Sequence, residues 1–177
     1  MSTARWVVRT ADLKALVEKN IPQLMKDLEG GQYEAVGAKG EMVGWRSLLS
    51  DRMNLIRPCT KADSYARRIY QVIALDYQVM DADLADTMCL AMGYNMSEVM
   101  ETFPKTVAAC KERVAIEYEI KGEPLPKAKL EEEARKRFAQ YEKEMYPKGQ
   151  ITSPYQERDK EYRRKRRAAE KAARQAA

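Results

Sequence analysis

Apolar residues recur every three or four positions along most of the 177-residue chain. The clearest runs occupy residues 13–28, 45–56, 65–80, 84–91, 107–118 and 130–145. This spacing places apolar side chains on one face of a helix, whereas the alternation that is typical of a half-buried strand is nearly absent. The pattern therefore predicts an all-α fold, an irregular bundle of about six to eight helices that ends in an extended basic C-terminal helix.

Residues that favour or break helices predict where these elements begin and end. We expect Thr10 and Ser97 to cap helix N-termini and Pro104 to begin the next long helix. Pro22 should kink or split the first helix, because proline lacks the amide hydrogen that a helix interior needs. The third apolar run is predicted to be one helix that reaches Met80. Glycines mark the predicted ends of three helices: Gly30, Gly93 and Gly122.

The chain divides into three predicted parts. Residues 1–121 form a helical body, although five of the eight glycines fall within residues 30–44 and predict a tightly turning or flexible connection there. Residues 122–149 form a linker that is stiffened by two prolines and is followed by an amphipathic helix. Residues 150–177 form a basic helical arm, which is rich in Ala, Arg, Lys, Glu and Gln.

The positive charge of the chain is concentrated in this arm. The net charge is +5, but residues 158–177 hold nine Lys or Arg against three Asp or Glu, so the other 157 residues sum to −1. Tyr155, Tyr162 and Ala169 recur every seven residues, a stripe too narrow to bury in a core of its own. The predicted partner-binding residues are Tyr155, Tyr162, Arg163, Arg164, Lys165, Arg166 and Arg167. Their partner is another protein subunit, an anionic lipid headgroup or RNA, and the sequence leaves these alternatives open.

The chain offers little catalytic chemistry. It contains no histidine, which excludes Ser-His-Asp and Cys-His catalysis and histidine-containing zinc sites. The glycine-rich stretch GAKGEMVG does not match a phosphate-binding loop. We therefore predict no catalytic residues and no cofactor, so the protein is not expected to be an enzyme. A buried Lys–Glu or Cys–Lys pair in a deep polar pocket would reverse that expectation.

Carboxylates, thiols and methionines receive structural roles in this interpretation. The acidic run around Asp81 lacks the glycine and the bidentate glutamate of an EF-hand, so helix capping is favoured over a divalent-ion site. The three cysteines are too far apart in sequence for a CxxC pair and are predicted to be reduced thiols in the core. Five methionines at helical spacing are predicted to fill the core: Met80, Met88, Met92, Met96 and Met100.

The N-terminal segment points toward an organelle. The first eleven residues, MSTARWVVRTA, carry two arginines and hydroxyl groups without an acidic residue, which resembles a mitochondrial import sequence. A short basic segment leading into the first helix is the alternative. No stretch approaches the ~20 apolar residues that a membrane-spanning helix needs. The predicted location is the matrix side of the mitochondrial inner membrane, and otherwise the cytoplasm.

Two short stretches resemble subunits of respiratory complexes. Arg57-Pro58 with RRIYQVIALDYQVMDADL and Cys110-Lys-Glu-Arg113 resemble the small matrix-side 14 kDa-type helical subunit of the cytochrome bc1 complex. Separately, DLEGGQYEAV is similar to a segment of a matrix-arm accessory subunit of complex I. Both resemblances imply a non-catalytic accessory subunit of a mitochondrial respiratory complex, and an ATP-synthase subunit fits the same description. An RNA- or ribosome-associated protein that binds through the basic arm is the alternative.

Overall fold

The computed structural model describes residues 5–30, 44–59, 64–146, 162 and 164–166. The predicted helical fold is confirmed, since most of the described residues are α-helical. A small antiparallel sheet, which the sequence pattern did not indicate, joins the helices. The elements of the described residues up to 146 are β1 (Trp6–Arg9), α1 (Thr10–Glu29), α2 (Trp45–Ile56), α3 (Ser64–Ile73), β2 (Val79–Asp81), α4 (Ala82–Ala91), α5 (Met96–Val99), β3 (Phe103–Pro104), α6 (Val107–Ile120) and α7 (Lys127–Met145).

The N-terminal strand β1 is the centre of the sheet. The strand order is β2-β1-β3, and both pairings are antiparallel, with Val8 opposite Met80 and Val7 opposite Phe103. The sequence Trp-Val-Val-Arg suits a strand because bulky and β-branched side chains pack well on a pleated surface. The segment that resembles an import sequence thus contains a strand on which two others pair.

The sheet separates two hydrophobic cores, because successive side chains of a strand point to opposite faces. On one face, Val8 and Met80 are buried in the main core, which is built mainly from helices α1 to α4. On the other face, Val7 and Phe103 are buried together with Met145 near the end of α7. Both valines of β1 are buried, with exposed fractions of 2% and 0%.

The third apolar run is not one helix, as predicted from the sequence. Helix α3 ends at Ile73, and Met80 lies in strand β2. The intervening turn has the hydrogen bonds of a Schellman motif, with the Asp76 amide donating to Gln71 O (3.0 Å) and the Leu75 amide donating to Val72 O (3.2 Å). Leu75 therefore adopts a left-handed conformation with φ of 54°.

The predicted helix starts need three corrections. Arg9 takes the N-cap position of α1, and Thr10 is its first, fully buried residue. Asn95 caps α5 by accepting a hydrogen bond from the Ser97 amide (3.2 Å), so Ser97 is inside the helix that it was expected to cap. Pro104 belongs to strand β3 and does not begin a helix.

The next helix, α6, begins at Val107, three residues later than predicted, behind a different cap. Thr106 takes the N-cap position, and its hydroxyl accepts a hydrogen bond from the Ala109 amide (3.2 Å). Pro22 lies within α1, which runs from Thr10 to Glu29 without being split. The predicted helix ends are confirmed: Gly30 is the C-cap of α1, and Gly93 and Gly122 follow α4 and α6 with φ of 85° and 74°.

Helices α6 and α7 pack against each other through apolar and charged contacts. Ala134 is fully buried where α7 packs against the rest of the protein. The guanidinium of Arg137 on α7 pairs with Glu117 on α6 and with Glu133 one turn earlier (2.8 Å). Since Met145 reaches the second core, the predicted amphipathic helix of segment 122–149 packs against both α6 and strand β3.

The predicted structural roles of thiols and methionines are largely confirmed. Cys89 and Cys110 are buried free thiols, while Cys59 is half-buried. Met80 and Met88 are buried in the main core, and the remaining three methionines of the predicted set pack against it. Asp81 takes the N-cap position of α4, but its carboxylate makes no capping hydrogen bond and instead accepts one from Lys105 Nζ (2.8 Å).

Candidate functional site

The predicted partner-binding arm falls only partly within the described residues. Tyr162, Arg164, Lys165 and Arg166 are helical and exposed, and 65% of Tyr162 is accessible to solvent. Tyr155, Arg163 and Arg167 lie outside the described residues, as does most of the glycine-rich segment 30–44. The helical form of the described arm residues agrees with the sequence prediction, and their contact with a partner stays a prediction.

A cleft lies between helices α4, α5 and α6. Its volume is about 520 Å³, and it is lined by Trp6, Ala82, Asp83, Asp86, Met96, Thr102, Arg113, Ile116 and Glu117. Helix α4 packs against strands β1 and β2, whereas α6 packs against β3 and α7. The two helices are therefore held on different parts of the sheet, which leaves the space between them open.

An arginine from α6 holds the aromatic side of the cleft. The guanidinium carbon of Arg113 lies 5.6 Å from the centre of the Trp6 ring and 5.8 Å from the centre of the Tyr141 ring. Its Nη1 donates a hydrogen bond to the Thr102 carbonyl (3.0 Å). Contacts between a guanidinium and aromatic faces are attractive. Arg113 thus ties Trp6 of the central strand to α6 and α7 and keeps the indole in the cleft wall.

Large apolar side chains are exposed on the three helices that form the cleft. On α6, Ile116 lines the cleft and is 57% exposed, and Ile120, one turn further along, is 81% exposed. On α4, Leu90 follows the lining residue Asp86 by one turn and is 46% exposed, and Val99 on α5 is 40% exposed. Single exposed apolar residues are ordinary, but a group that borders an apolar cleft is typical of a surface that contacts another molecule.

Two aspartates, Asp83 and Asp86, line the α4 side of the cleft. Residues 69–104, which contain α4 and α5, include no lysine or arginine in 36 positions and carry a charge of −6. The six acidic residues are Asp76, Asp81, Asp83, Asp86, Glu98 and Glu101. Arg57 reaches Asp86 at 3.5 Å, and Lys105 neutralises Asp81, but no described cation forms an ion pair with the exposed Asp83 carboxylate. The cleft therefore combines an apolar floor with an acidic wall.

Sequence reasoning did not find this site, although one signal was present. A net charge taken over 157 residues conceals a cation-free segment that lies between two basic ones. The exposure of Ile116 and Ile120 has no sequence signal, because α6 carries apolar residues all round its circumference. A helix of that kind does not show from its spacing which face is buried.

Two buried cysteines have raised pKa values. Burial raises the pKa of the Cys89 thiol to about 11 and also raises the pKa of the Cys110 thiol. A thiol whose pKa is raised is mostly protonated near neutral pH and is a weak nucleophile. Within the part of the chain that the structure describes, no group of three or more Cys, Asp or Glu side chains is placed to hold a metal ion.

A second, smaller pocket of about 270 Å³ lies beside α3 and β2. Arg57, Cys59, Tyr65 and Arg68 line one part of it. The Tyr65 hydroxyl donates a hydrogen bond to the Arg57 carbonyl (2.9 Å), and burial raises the pKa of this phenol. This hydrogen bond links α3 to the end of α2, which gives Tyr65 a structural role.

Comparisons with known proteins assign no family to the chain. The chain matches no protein-family model, no curated protein and no solved structure. Among the described helices, none combines the length and the apolar character that crossing a bilayer requires.

Proposed function

We propose that the protein is a non-catalytic helical subunit of a larger protein assembly. It binds neighbouring subunits through the cleft between α4 and α6 and through its basic C-terminal arm. The observation that carries this proposal is the pair of exposed isoleucines on α6: Ile116, which lines the cleft, is 57% exposed, and Ile120, one turn further along, is 81% exposed. Helix α6 could present polar residues there without loss to either described core, because neither core contains these two isoleucines.

The energetic argument rests on burial. Covering a large aliphatic side chain that was exposed contributes about 1.5–3 kcal/mol. Because Ile116 and Ile120 are 57% and 81% exposed, they together offer a partner about 2–4 kcal/mol before the cost of association is counted, a useful fraction of the ~8 kcal/mol of a micromolar complex. The half-buried Trp6 beside them is the kind of aromatic residue that dominates interface energies.

The setting that we propose is the matrix side of the mitochondrial inner membrane, within a respiratory-chain or ATP-synthase complex. Its support is the pair of sequence resemblances and the composition of residues 1–11. The structure adds one condition. Because Trp6–Arg9 is the central strand, an import sequence that was cleaved beyond residue 5 would remove part of the sheet. The proposal therefore requires import without loss of β1.

An RNA- or ribosome-associated function is the second candidate. The exposed cations Arg164, Lys165 and Arg166 favour it. Contacts with phosphates release counterions, so such binding would weaken steeply as salt is raised. Binding through the apolar cleft would depend much less on salt.

The test is a native pull-down in which the full chain is compared with a 1–152 truncation and with a cleft variant, Ile116→Ser/Ile120→Ser. All described core residues lie at or before Tyr146, so the truncation keeps both cores. Leu55→Ser is the matched control, because Leu55 is 85% exposed on α2 and does not line the cleft. Bound proteins are identified by mass spectrometry with and without nuclease.

The proposal expects subunits of a respiratory or ATP-synthase complex that resist nuclease and that are lost with the cleft variant but kept with Leu55→Ser. Recovery of ribosomal proteins that disappear with nuclease or in high salt would favour the RNA-binding function. Equal recovery with the cleft variant and the wild-type chain would refute the assignment of the cleft.

A further inference from the structure

We propose that the cleft between α4 and α6 binds the basic C-terminal arm of a second copy of this chain, so that copies associate head to tail. This inference rests on the proposed function only in taking the cleft as an interaction surface. It commits to one occupant, residues 155–175 of another copy. In this contact, the tyrosine side of the arm packs on the apolar floor of the cleft, and the cations of the arm face its acidic wall.

Charge complementarity is the first argument. The segment 69–104, which supplies α4 and α5, carries −6, and residues 158–177 carry +6. These are the two most one-sided stretches of the chain, and the remaining residues sum to +5. Asp83 and Asp86 stand in the lining of the cleft itself, where they can face cations of the arm. Opposite potentials of this kind speed up association and fix the register of two surfaces.

The apolar surfaces also match. The arm has one narrow apolar stripe, in which Tyr162 is the described member and remains 65% exposed. A narrow stripe on a helix suits a groove better than a flat surface, because only one row of side chains has to be covered. Trp6, Met96 and Ile116 supply the apolar side of that groove. Tyrosine is well suited to such a site, since it buries a ring while its hydroxyl stays at the wet edge.

The exposure of Tyr162 decides between the two possible geometries. If the arm occupied the cleft of its own chain, this ring would be covered, but most of its surface is open. We therefore assign the contact to two copies. The arm and the cleft are different surfaces, so the contact is heterologous, and repeating it produces a ring or an open filament.

The experiment uses two full-length variants that are each defective in one surface. The cleft variant Asp83→Lys/Ile116→Ser keeps the arm, and the arm variant Tyr162→Ser/Arg164→Glu keeps the cleft. The four substituted side chains are exposed in the structure, so both variants are expected to fold, which circular dichroism and thermal melting verify. Leu55→Ser again serves as the matched surface control. Masses are measured by sedimentation equilibrium over a range of concentrations at low and high NaCl.

We expect the wild-type chain to exceed its monomer mass of 20.4 kDa as concentration rises and to dissociate as NaCl is added. Each variant alone should self-associate at least about tenfold more weakly, as for the loss of a central interface side chain. An equimolar mixture of the two variants should form a 1:1 complex and nothing larger, because it contains one working arm and one working cleft. A symmetric contact would not give that result.

Two results would overturn the inference: a wild-type chain that stays monomeric at all concentrations, or self-association that the cleft variant retains. Neither result bears on the pull-down, which detects other proteins. A monomeric chain whose cleft variant loses its partners would leave the proposed function in place and remove only the self-association. A chain that self-associates but captures no other protein would leave the self-association in place and remove only the proposed function.

Discussion

Deleting residues 1–9 tests the role of the N-terminal strand, and we expect it to destabilise the whole protein. The deletion removes β1 and leaves β2 and β3 without a strand to pair with. It also takes one valine out of each core, Val8 from the main core and Val7 from the core around Phe103. A composition that resembles an import sequence would instead predict that these residues are dispensable.

The expected cost follows from burial. Val7 and Val8 are almost completely buried. Losing two such side chains costs about 3–6 kcal/mol, before the loss of strand hydrogen bonds and the exposure of Phe103 are counted. For a chain of this size, 1 kcal/mol corresponds to about 2–4 °C in Tm, so the Tm should fall by about 6–24 °C. A stability of about 5–15 kcal/mol is typical of a domain, which makes a largely unfolded product an acceptable outcome.

The assay is thermal unfolding of the 10–177 chain, followed by circular dichroism, with a 5–177 chain as the control. The control keeps Arg5, whose carbonyl accepts a hydrogen bond from the Lys105 amide (2.9 Å) and whose guanidinium pairs with Glu112 (2.6 Å). We expect the control to melt within about 2 °C of the full chain, as is usual for changes away from a core. A 10–177 chain that melts as the control does would refute the reasoning and would restore the import interpretation of this segment.

Four further predictions concern the second core, the glycine that follows α6, and the thiols. Phe103→Ala should lower the free energy of unfolding by about 3–5 kcal/mol in a urea titration, because Phe103 is fully buried; a loss below about 1 kcal/mol would contradict this packing. Gly122→Ala should cost about 1–2 kcal/mol in the same assay, because φ is 74° and an added Cβ would meet no described atom within 4 Å, so that only backbone strain acts. Cys59 should react with a thiol reagent at pH 8 well before Cys89 and Cys110, and all three should react in urea; equal rates in the folded protein would contradict the burial of the latter two. The raised pKa of Cys89 favours the folded state at low pH, so its contribution to stability should be lost as pH rises from 9 to about 11.

The helices could be predicted from the sequence because their apolar spacing is sustained over many residues. Helix α7 shows this best, since its apolar residues keep helical spacing from Leu130 to Met145 and the helix spans Lys127–Met145. The strands could not be predicted in the same way. They contain two to four residues each, too few to establish an alternating pattern. In β1 the adjacent Val7 and Val8 are both buried because each face of the sheet meets its own core, a tertiary arrangement that local sequence does not show.

The candidate site was less predictable than the fold, for two different physical reasons. The acidic wall was present in the sequence as a long stretch without cations, and a local charge count would have found it. The cleft depends on the distance between α4 and α6, which is set by their attachment to different strands of the sheet. Neither helix alone carries that information. The exposed isoleucines at positions 116 and 120 show that part of the surface of α6 remains open.

The end of α3 was predicted wrongly from the sequence because Leu75 takes a position that glycine usually takes, and the strain at Leu75 can be tested. Helices α4 and α6 end in the same Schellman geometry as α3, but glycine takes the left-handed position there and leucine takes it in α3. With no glycine to mark the stop, and with Met80 seven residues after Ile73, the apolar spacing continued past the real helix end. A left-handed β-carbon costs about 1–2 kcal/mol. In a urea titration, the free energy of unfolding of Leu75→Gly should therefore exceed that of Leu75→Ala by about 1 kcal/mol. Both variants lose the leucine side chain, but only alanine keeps the strained left-handed β-carbon. Alanine normally stabilises a chain relative to glycine, so an alanine variant that is equal or more stable would show that this turn does not hold the strained conformation.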